Sequence, residues 1–477
     1  MTAIDYVRQE HNEFEEASRA ALANPQLRGI LTILGDKLGG LNRAAWAALP
    51  GSSDLREKAR AIKDATLAEL DIHLAKLEES VVRRGGHVHW AADGAEASKI
   101  IVDLIQARGA TKVVKSKSMT TEEIHLNKAL EKVGIHPVET DLGEYIIQLA
   151  GHRPSHIVGP ALHLSVEQVR DILSAVAPSP LSTKREELCA FAREQLRQRF
   201  AEAEVGISGA NFAVAETGTV TIISNEGNAR LTTSLPKMHI AIMGMEKVIP
   251  KLADLPVFLK VLARAATGQK LSVYTSIISG PRRAEELDGP EEFHLVILDN
   301  GRSRILSGPL RESLFCIRCG ACLNACPVYR SVGGHSYGGV YAGPIGAVLT
   351  PLYEGLSPHH HLPHASSLCG ACQAACPVKI QIPELLVKLR EKLHEEPDQA
   401  DFWEGLAYGM WARTARNPWL YGWATWLATR VGSWWFRDGW VSSLPGKLGG
   451  WTGTRDLPAP ANERFRDWWE REGKQER

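Results

Sequence analysis

Seven of the eight cysteines of this chain lie in two short runs in its C-terminal half. The runs read Cys316-Ile-Arg-Cys319-Gly-Ala-Cys322-Leu-Asn-Ala-Cys326-Pro327 and Leu368-Cys369-Gly-Ala-Cys372-Gln-Ala-Ala-Cys376-Pro377. Three thiolates at two-residue spacing bind one face of a four-iron cube, and bacterial ferredoxins take the fourth ligand from the Cys-Pro cysteine of the other run. The spacing therefore predicts two iron–sulfur clusters and a role in electron transfer.

The crossing arrangement of such clusters divides the cysteines, as cofactor and metal ligands, into two sets. These are Cys316, Cys319, Cys322 and Cys376 for the first cluster, and Cys326, Cys369 and Cys372 for the second. Ser366 stands three residues before Cys369, where the first run has a cysteine. We expect two [4Fe–4S] clusters, the second with only three cysteine ligands. Its last iron would take Ser366, a histidine, water or a partner's group, and a three-iron cluster is the alternative.

Three other interpretations of the cysteines are weaker. One zinc ion needs only four ligands, usually two C-x2-C pairs. Disulfides need an oxidising compartment, whereas the polar first ten residues do not resemble a signal peptide and favour a cytoplasmic protein. A purely structural cluster would not explain two runs. Cys189, which stands alone in a helical pattern, is expected to be a buried apolar residue.

Composition limits the classes of partner. Lysine plus arginine equals aspartate plus glutamate at 55 each among 477 residues, so no overall field favours nucleic acid. No uninterrupted apolar run reaches the roughly 18 residues that a spanning helix needs. The chain is therefore expected to be soluble or peripheral to a membrane.

The order of apolar runs predicts four regions. Residues 1–80 have helical periodicity. Residues 81–305 alternate short apolar runs with helices, which predicts an α/β domain with a largely parallel sheet. Residues 306–390 form a mostly helical, ferredoxin-type module for two clusters. Residues 391–477 form a helical tail that contains 11 of the 13 tryptophans.

Individual predictions within the α/β domain are a first strand at His87–Trp90, a helix at 95–108, a strand at Lys112–Lys115 and a helix at 121–133. The segments 212–215 and 218–224 read as two strands that meet at a turn, and Phe293–Asp299 reads as the closing strand.

Tryptophans in the tail recur at helical spacing. Trp419, Trp423 and Trp426 share one face, which Arg430 continues, and Trp434 and Trp435 follow. Docking onto the rest of the chain, a partner interface and membrane-surface contact all suit tryptophan.

Taken together, these features resemble the lactate utilization protein B family, the iron–sulfur member of a three-protein bacterial system that oxidises L-lactate. The resemblance rests on both cysteine runs with Ser366-Ser-Leu before the second, on Glu216-Thr-Gly-Thr-Val with Lys115-Ser-Lys-Ser-Met-Thr-Thr-Glu-Glu-Ile upstream, and on the tryptophan-rich tail. It covers nearly the whole chain.

The resemblance implies an oxidoreductase subunit that carries electrons while L-lactate becomes pyruvate, which allows growth on lactate. It implies two companion lactate-utilization proteins as partners, with an unspecified electron acceptor. It also implies that the α/β domain resembles phosphosugar isomerases and coenzyme A transferases in fold, and the family's cluster ligands map onto the two cysteine sets above.

Other candidate sites are less specific. Lys115-Ser-Lys-Ser118 follows a predicted strand and suits an anion or a helix cap. Glu216 precedes a tight turn and is a candidate catalytic carboxylate, because coenzyme A transferases use a glutamate; a turn residue bonded to backbone is the simpler interpretation. Four histidines before the second run suit a solvated loop better than a metal: His359, His360, His361 and His364.

Two functional hypotheses remain open on these residues. The first is an electron-transfer subunit in L-lactate oxidation. The second is a ligand-binding or acyl/phosphosugar-type enzyme, whose clusters are structural or redox-sensing. A membrane-attached, quinone-linked module is a third hypothesis, which depends on the tail.

Overall fold

A computed structural model describes residues 14–395, 402–435, 439–444, 446, 449–453, 455–458 and 461–473. Two compact units divide between His394 and Glu395. The first unit contains the α/β domain together with both cysteine runs, and the second contains the tryptophan-rich region.

Four helices precede the first strand, in the segment expected to be helical. They are α1 (Phe14–Leu22), α2 (Pro25–Ala47), α3 (Ser52–Ala68) and α4 (Leu70–Arg83). Helix α2 begins at a proline because the preceding Asn24 caps it, accepting a hydrogen bond from the Leu27 amide at 3.0 Å. The apolar faces of these helices join the core of the first unit.

A six-stranded parallel sheet forms the centre of the α/β domain. Its strands are β1 (His87–Ala91), β2 (Val113–Lys115), β3 (Val138–Glu139), β4 (Val205–Gly209), β7 (Met238–Gly244) and β10 (Glu292–Leu298). Their order is β1-β10-β7-β4-β2-β3, with every neighbouring pair parallel. The predicted parallel sheet, including its first and closing strands, is confirmed.

Helices connect the strands of this sheet. They are α5 (Gly94–Ala107), α6 (Met119–Glu123), α7 (Leu126–Glu131), α8 (Leu142–Ala150), α9 (Val166–Ser174), α10 (Arg185–Glu202) and α11 (Asn228–Ser234). Asp93 caps α5 by accepting from the Glu96 amide at 2.9 Å, and Ser165 and Gln168 form a reciprocal capping box at α9.

A smaller sheet lies beside the first. Its strands are β5 (Phe212–Val214), β6 (Thr219–Ser224), β8 (Val248–Ile249) and β9 (Tyr274–Ile278). Strands β5 and β6 are antiparallel and meet at a turn in which Gly218 has a φ of +67°. A side chain there would collide with the backbone of Ser80, so glycine is required. The predicted pair of strands is confirmed.

Alternate residues of the large sheet belong to two different cores. On β7, Ile240 and Ile242 pack with Ile101 and Ile105 of α5 on one side. Residues of the other side belong to a core that extends into the cysteine module, where it includes Leu323. Because the domain and the module share this core, the cysteine runs are built against the sheet rather than tethered to it.

Two local predictions are wrong. The helix expected at 121–133 is broken into α6 and α7, because His125 adopts a left-handed backbone with a φ of +51°. Cys189 of α10 is exposed, and its neighbour Leu188 occupies the buried position instead. Helical periodicity alone allows either Leu188 or Cys189 to face the core. Leucine takes the buried position because its side chain buries more apolar surface.

The module that carries the cysteines is mostly helical. After α12 (Leu255–Thr267) and α13 (Arg302–Leu306) come α14 (Ala321–Ala325), α15 (Pro327–Val332), α16 (Gly343–Glu354), α17 (Ala371–Ala375) and α18 (Ile382–Glu395). Five 3₁₀ turns complete the first unit, at Met245–Lys247, Leu252–Asp254, Arg311–Phe315, His335–Tyr337 and Leu362–His364.

The second unit contains two longer helices, α19 (Phe402–Arg416) and α20 (Pro418–Trp435), and short elements: β11 (Trp440–Val441), α21 (Gly449–Thr452), β12 (Leu457–Pro458) and α22 (Phe465–Trp468). Trp419, Trp423 and Trp426 are exposed on α20, and Arg430 lies over the Trp426 ring at 5.5 Å. The side chains of Trp434 and Trp435 lie outside the described residues. In the described part of the chain, every helix is too short or too polar to cross a membrane.

Candidate iron–sulfur centre and adjoining cavity

The two cysteine runs fold into the same local structure. In the first run Arg318 and Gly320 have positive φ angles of 59° and 75°, and in the second Leu368 and Gly370 have 53° and 81°. A one-turn helix follows each loop, α14 in the first and α17 in the second, and each helix ends at a Cys-Pro pair. The same left-handed turn thus precedes the short helix in both loops.

Electrostatic interactions connect the sulfurs of the two runs. The charge of Cys376 acts on Cys319 and Cys322 of the first run, and Cys376 in turn senses Cys316. Cys326 interacts with Cys369, and Cys372 interacts with both. Cys372 also acts on Cys322, so the interactions run between the two predicted sets as well, and the division of the ligands stays a prediction.

Burial makes most of these thiols poor acids on their own, whereas a hydrogen bond from the Ala371 amide lowers the pKa of the exposed Cys369. Burial raises the pKa of Cys372 to about 12 and that of Cys376 to about 11, and it also raises the pKa values of Cys319 and Cys322. Thiolates in such surroundings require a positively charged partner, and metal binding releases thiol protons in that way. The sulfur environment therefore fits a metal centre.

Backbone N–H groups point at the sulfurs. The amide of Arg318 donates to Cys316 Sγ at 3.4 Å, that of Tyr329 donates to Cys326 Sγ at 3.5 Å, and that of Ile380 donates to Cys376 Sγ at 3.4 Å. Such bonds stabilise thiolate charge and tune the potential of a bound cluster. Among the described residues, no group of three or more histidine, cysteine, aspartate or glutamate side chains is placed to hold a single metal ion.

Ser366 occupies in the second loop the place of Cys316 in the first. Its Oγ accepts a hydrogen bond from the Leu368 amide at 3.1 Å, just as Cys316 Sγ accepts one from Arg318. Ser366 is half-buried and Cys369 is exposed, whereas all three cysteines of the first loop are buried. An oxygen donor thus stands at the position of the absent thiolate, on the side of the module that faces solvent.

Helix α3, from the N-terminal segment, makes hydrogen bonds to the backbone near Cys376. Arg56 donates to the carbonyls of Ala374 and Cys376 at 2.7 and 2.6 Å. Lys63, fully buried on the same helix, donates to the Glu246 carbonyl. Burial lowers the pKa of Lys63 to about 7.

A buried ionic network adjoins the first loop. The Arg302 guanidinium contacts Glu246 at 2.6 Å and Glu123 at 2.9 Å. Although burial opposes ionisation, Arg302 holds the pKa of Glu246 at about 2. Arg318 lies 3.6 Å from Glu246 and 4.6 Å above the ring of Tyr341. Burial lowers the pKa of Lys247, next along the chain, to about 8.

A cavity of about 380 Å³ lies between the sheet and the first cysteine loop. Segments that follow β2, β4 and β7 line it, and the cysteine module contributes Arg318, Cys319 and Tyr341. Gly209 at the end of β4 allows this approach, because a Cβ there would lie 2.5 Å from Ser118 Oγ.

The four residues of the Lys115-Ser-Lys-Ser118 segment have different surroundings. Lys115 is buried and paired with Glu139 at 2.6 Å and with Glu122 at 2.9 Å, so it is part of the domain's interior. Ser118 caps α6. Ser116, Lys117 and Ser118 all line the cavity, and Lys117 is the member whose charge faces it.

Glu216 lies away from this cavity. It is exposed, and its Oε2 accepts a hydrogen bond from the Leu252 amide at 2.9 Å. This placement favours the interpretation as a turn residue bonded to backbone. Among the histidines, His359 contacts Glu354 at 3.1 Å and His360 contacts the Ser357 carbonyl at 3.1 Å. They are thus held by their own loop.

Family profiles match three consecutive parts of the chain: the LUD domain at residues 74–298, the 4Fe-4S dicluster domain at residues 312–380, and the C-terminal region of lactate utilisation protein B at residues 388–474. The fold and the cysteines therefore define an iron–sulfur protein in which a LUD domain precedes a dicluster domain. A solved DUF162 family protein from Deinococcus radiodurans covers 48% of this chain at 13% identity with a TM-score of 0.29, too low to support any statement.

Relatives named lactate utilization protein B align over nearly the full length. Identity is 49% to that of Shouchella clausii, with 96% of each chain covered, and 47% to that of Bacillus pumilus, with 97% of this chain and 98% of the relative covered. It is 46% to that of Bacillus subtilis, with 96% and 95% covered. The chain belongs to the lactate utilization protein B family, which confirms the resemblance.

Several residues of the site were not singled out from the sequence: Lys63, Glu246, Lys247, Arg302 and Arg318. One signal was present, because Glu246 and Lys247 are charges directly after a long apolar strand. Charged residues at the carboxyl ends of buried strands in α/β folds are candidates for a site.

Proposed function

We propose that this chain is the iron–sulfur electron-transfer subunit of a complex that oxidises L-lactate to pyruvate. The observation that carries the proposal is the pairing of two interlocked cysteine loops with a polar cavity that reaches Cys319. Membership of a lactate-utilization family supports the substrate. Each cluster, when bound, transfers one electron at a time, and lactate oxidation releases two.

We assign the first [4Fe–4S] cluster to Cys316, Cys319, Cys322 and Cys376. The second [4Fe–4S] cluster takes Cys326, Cys369 and Cys372, with Ser366 Oγ as its fourth ligand. The matching amide bonds to Ser366 and Cys316 support this choice over water or a histidine. The positive φ angles shared by both loops support it as well.

The chain's own residues give the two centres different surroundings. Lys63, Lys247 and Arg318 surround the first with buried positive charge that acts on Cys316. Such charge favours the reduced state, which carries one more negative charge. The second centre has its exposed Cys369 at the surface. The cavity adjoins the first centre and Cys369 is exposed, so electrons are proposed to enter on the cavity side and to leave toward a partner on the Cys369 side, while the positive charge makes the first centre the better electron acceptor.

Two companion lactate-utilization proteins complete the proposed complex, and the final acceptor is a separate redox partner. The α/β domain is proposed to share the fold of phosphosugar isomerases and coenzyme A transferases. The exposed tryptophans of α20 are proposed to contact a companion or a membrane surface.

An anaerobic reduction assay tests the function. L-lactate is added to the purified protein, alone and co-purified with its companions, and bleaching of the clusters is followed by absorbance and EPR. Reduction only in the complex supports a relay subunit, and reduction of the chain alone places the chemistry on it. If dithionite bleaches the clusters but lactate does so in neither sample, the lactate proposal is wrong.

A further inference from the structure

The cavity lies where ligands bind in open α/β sheets. From β2 the chain proceeds outward to β3, and it then returns to place β4 on the other side of β2. The strand order thus reverses between β2 and β4, and the carboxyl ends at such a reversal form a crevice that commonly holds a ligand. The residues that follow β2 (Ser116–Ser118) and β4 (Ala210 and Asn211) line the cavity.

Three basic side chains line this cavity. Lys247 is 7% exposed, and the Arg318 side chain is also 7% exposed. Nη1 of Arg318 and Nζ of Lys117 are both buried and lack a hydrogen-bond partner among the described residues. Buried donors in native proteins are nearly always satisfied, so these two groups indicate an acceptor that binds there.

Nearby carboxylates pair with these cations but do not hydrogen-bond to them, since Glu246 Oε1 and Glu144 Oε1 also lack a hydrogen-bond partner among the described residues. Glu246 is held by Arg302, and Arg318 is 3.6 Å from it. Glu144 Oε1 lies 4.0 Å from Lys117, beyond hydrogen-bond distance, and burial raises its pKa to about 8. Asp141 and Glu226 also line the cavity. Asp141 accepts a hydrogen bond from the Glu144 amide at 3.2 Å, and Glu226 accepts one from the Leu142 amide at 3.3 Å.

Charge balance with a cluster does not explain Lys117 either. The Cys316 charge acts on Lys247 and on Arg318, so these two side chains partly serve the first cysteine group. Lys117 instead acts on Glu144, Glu226 and His156. Its ammonium lies 4.0 Å from Glu144 Oε1 without a hydrogen bond among the described residues, and we take it to be available to a ligand of the cavity.

We propose that this cavity binds a short carboxylate of the 2-hydroxy or 2-oxo acid class, attracted by Lys117, Lys247 and Arg318. The class of acid rests on the proposed function, whereas the anion site rests on the cavity. The hydroxyls of Ser116 and Ser118 lie on the same wall as Lys117 and suit the second polar group of such an acid. The ligand would lie on the side of the first loop where Cys319 lines the cavity.

Equilibrium binding to the anaerobically purified, cluster-loaded full chain tests the site. Isothermal titration calorimetry compares L-lactate, pyruvate and inorganic phosphate on the wild type, Lys117→Gln and Lys99→Gln. Lys99 is a matched control, because its side chain is 75% exposed on α5 and does not line this cavity. A charge-assisted hydrogen bond lost from a buried site weakens binding by about tenfold or more.

Saturable binding of lactate or pyruvate that weakens at least tenfold in Lys117→Gln and is unchanged in Lys99→Gln is the expected result. Unaltered cluster absorbance and EPR in both variants shows that they are folded. Absent binding, equal binding by Lys117→Gln, or phosphate that binds as tightly as pyruvate would each overturn the proposal. Cluster reduction in the complex is a separate readout, so a failed site and a failed electron-transfer function are distinguishable.

Discussion

The two cysteine loops have the same backbone and opposite surroundings. Both turn through a left-handed residue and a glycine, and both end at Cys-Pro. The first is buried near the parallel sheet, next to a cavity, and carries three cysteines. The second has Cys369 at the surface and Ser366 in place of its first cysteine. The two loops thus share the backbone conformation that presents their ligands, and they differ in the burial and the charge around those ligands.

Removal of one cysteine from each group should have the largest and most unequal effect. Cys376→Ala removes a ligand inside the core that the sheet and the module share, so we expect loss of the first cluster and a fall in the free energy of unfolding by several kcal/mol. Cys369→Ala should lose only the second cluster and keep a folded chain. Iron content and thermal unfolding of both variants measure the difference, and equal destabilisation would show that the loops are energetically alike.

Substitution of Ser366 changes the number of ligands in the second loop, either to match the first loop or to differ from it further. Ser366→Cys should provide a fourth thiolate and raise the potential of the second cluster, because a serine oxygen is a harder donor that stabilises ferric iron more than a thiolate sulfur does. Ser366→Ala should yield a three-iron cluster, visible by EPR after oxidation. Ser331→Ala, which changes an exposed serine of α15, serves as the control. An Ser366→Ala protein with an unchanged second cluster would refute oxygen ligation.

Neutralising a buried cation should affect only the first loop. Lys247→Gln removes a positive charge that acts on Cys316. The midpoint potential of the first cluster should then fall by an amount on the order of tens of millivolts at an effective dielectric constant of about 20. Lys251→Gln, an exposed neighbour, should leave it unchanged. Potentiometric EPR measures both, and a shift of the second cluster instead would reverse the assignment of the two surroundings.

The smallest expected effect concerns the cavity, which only the first loop adjoins. Burial raises the pKa of Glu144 to about 8, so its carboxyl is neutral below that pH and becomes an anion above it. The anion would compete with a bound carboxylate for Lys117, while Lys115 and the carboxyls of Glu122 and Glu139 also act on Glu144. Affinity for pyruvate should therefore fall a few-fold between pH 7 and 9. In Glu144→Gln that decline should become smaller but not vanish, because Lys247, whose pKa is about 8, also loses its positive charge in this range. A decline as large as in the wild type would show that Glu144 does not contribute.

Ligand spacing is a local property, so the sequence alone predicts the two cysteine runs and their iron–sulfur chemistry, which the match to a dicluster domain supports. Alternation of apolar runs with helices was likewise sufficient for the parallel sheet. Both are patterns that neighbouring residues encode. Even the absent thiolate at Ser366 was visible by comparison of the two runs.

Long-range packing was not visible in the same way. Arg56 and Lys63 lie more than 250 residues before the cysteine loop that they support, and Lys117 reaches the cavity only because β2 and β4 are neighbours. Sequence patterns contain no record of such distant contacts. His125 interrupts a helix that its neighbours favour, and Leu188 rather than Cys189 is buried in the core. Both outcomes depend on tertiary contacts.

Iron and sulfide analysis combined with a potentiometric EPR titration of the purified full chain tests the central claim most directly. The claim is that two similar loops hold two [4Fe–4S] clusters in unequal surroundings. It predicts about eight irons per chain and two one-electron components at distinct potentials. About four irons with a single component, or zinc in place of iron, would contradict it.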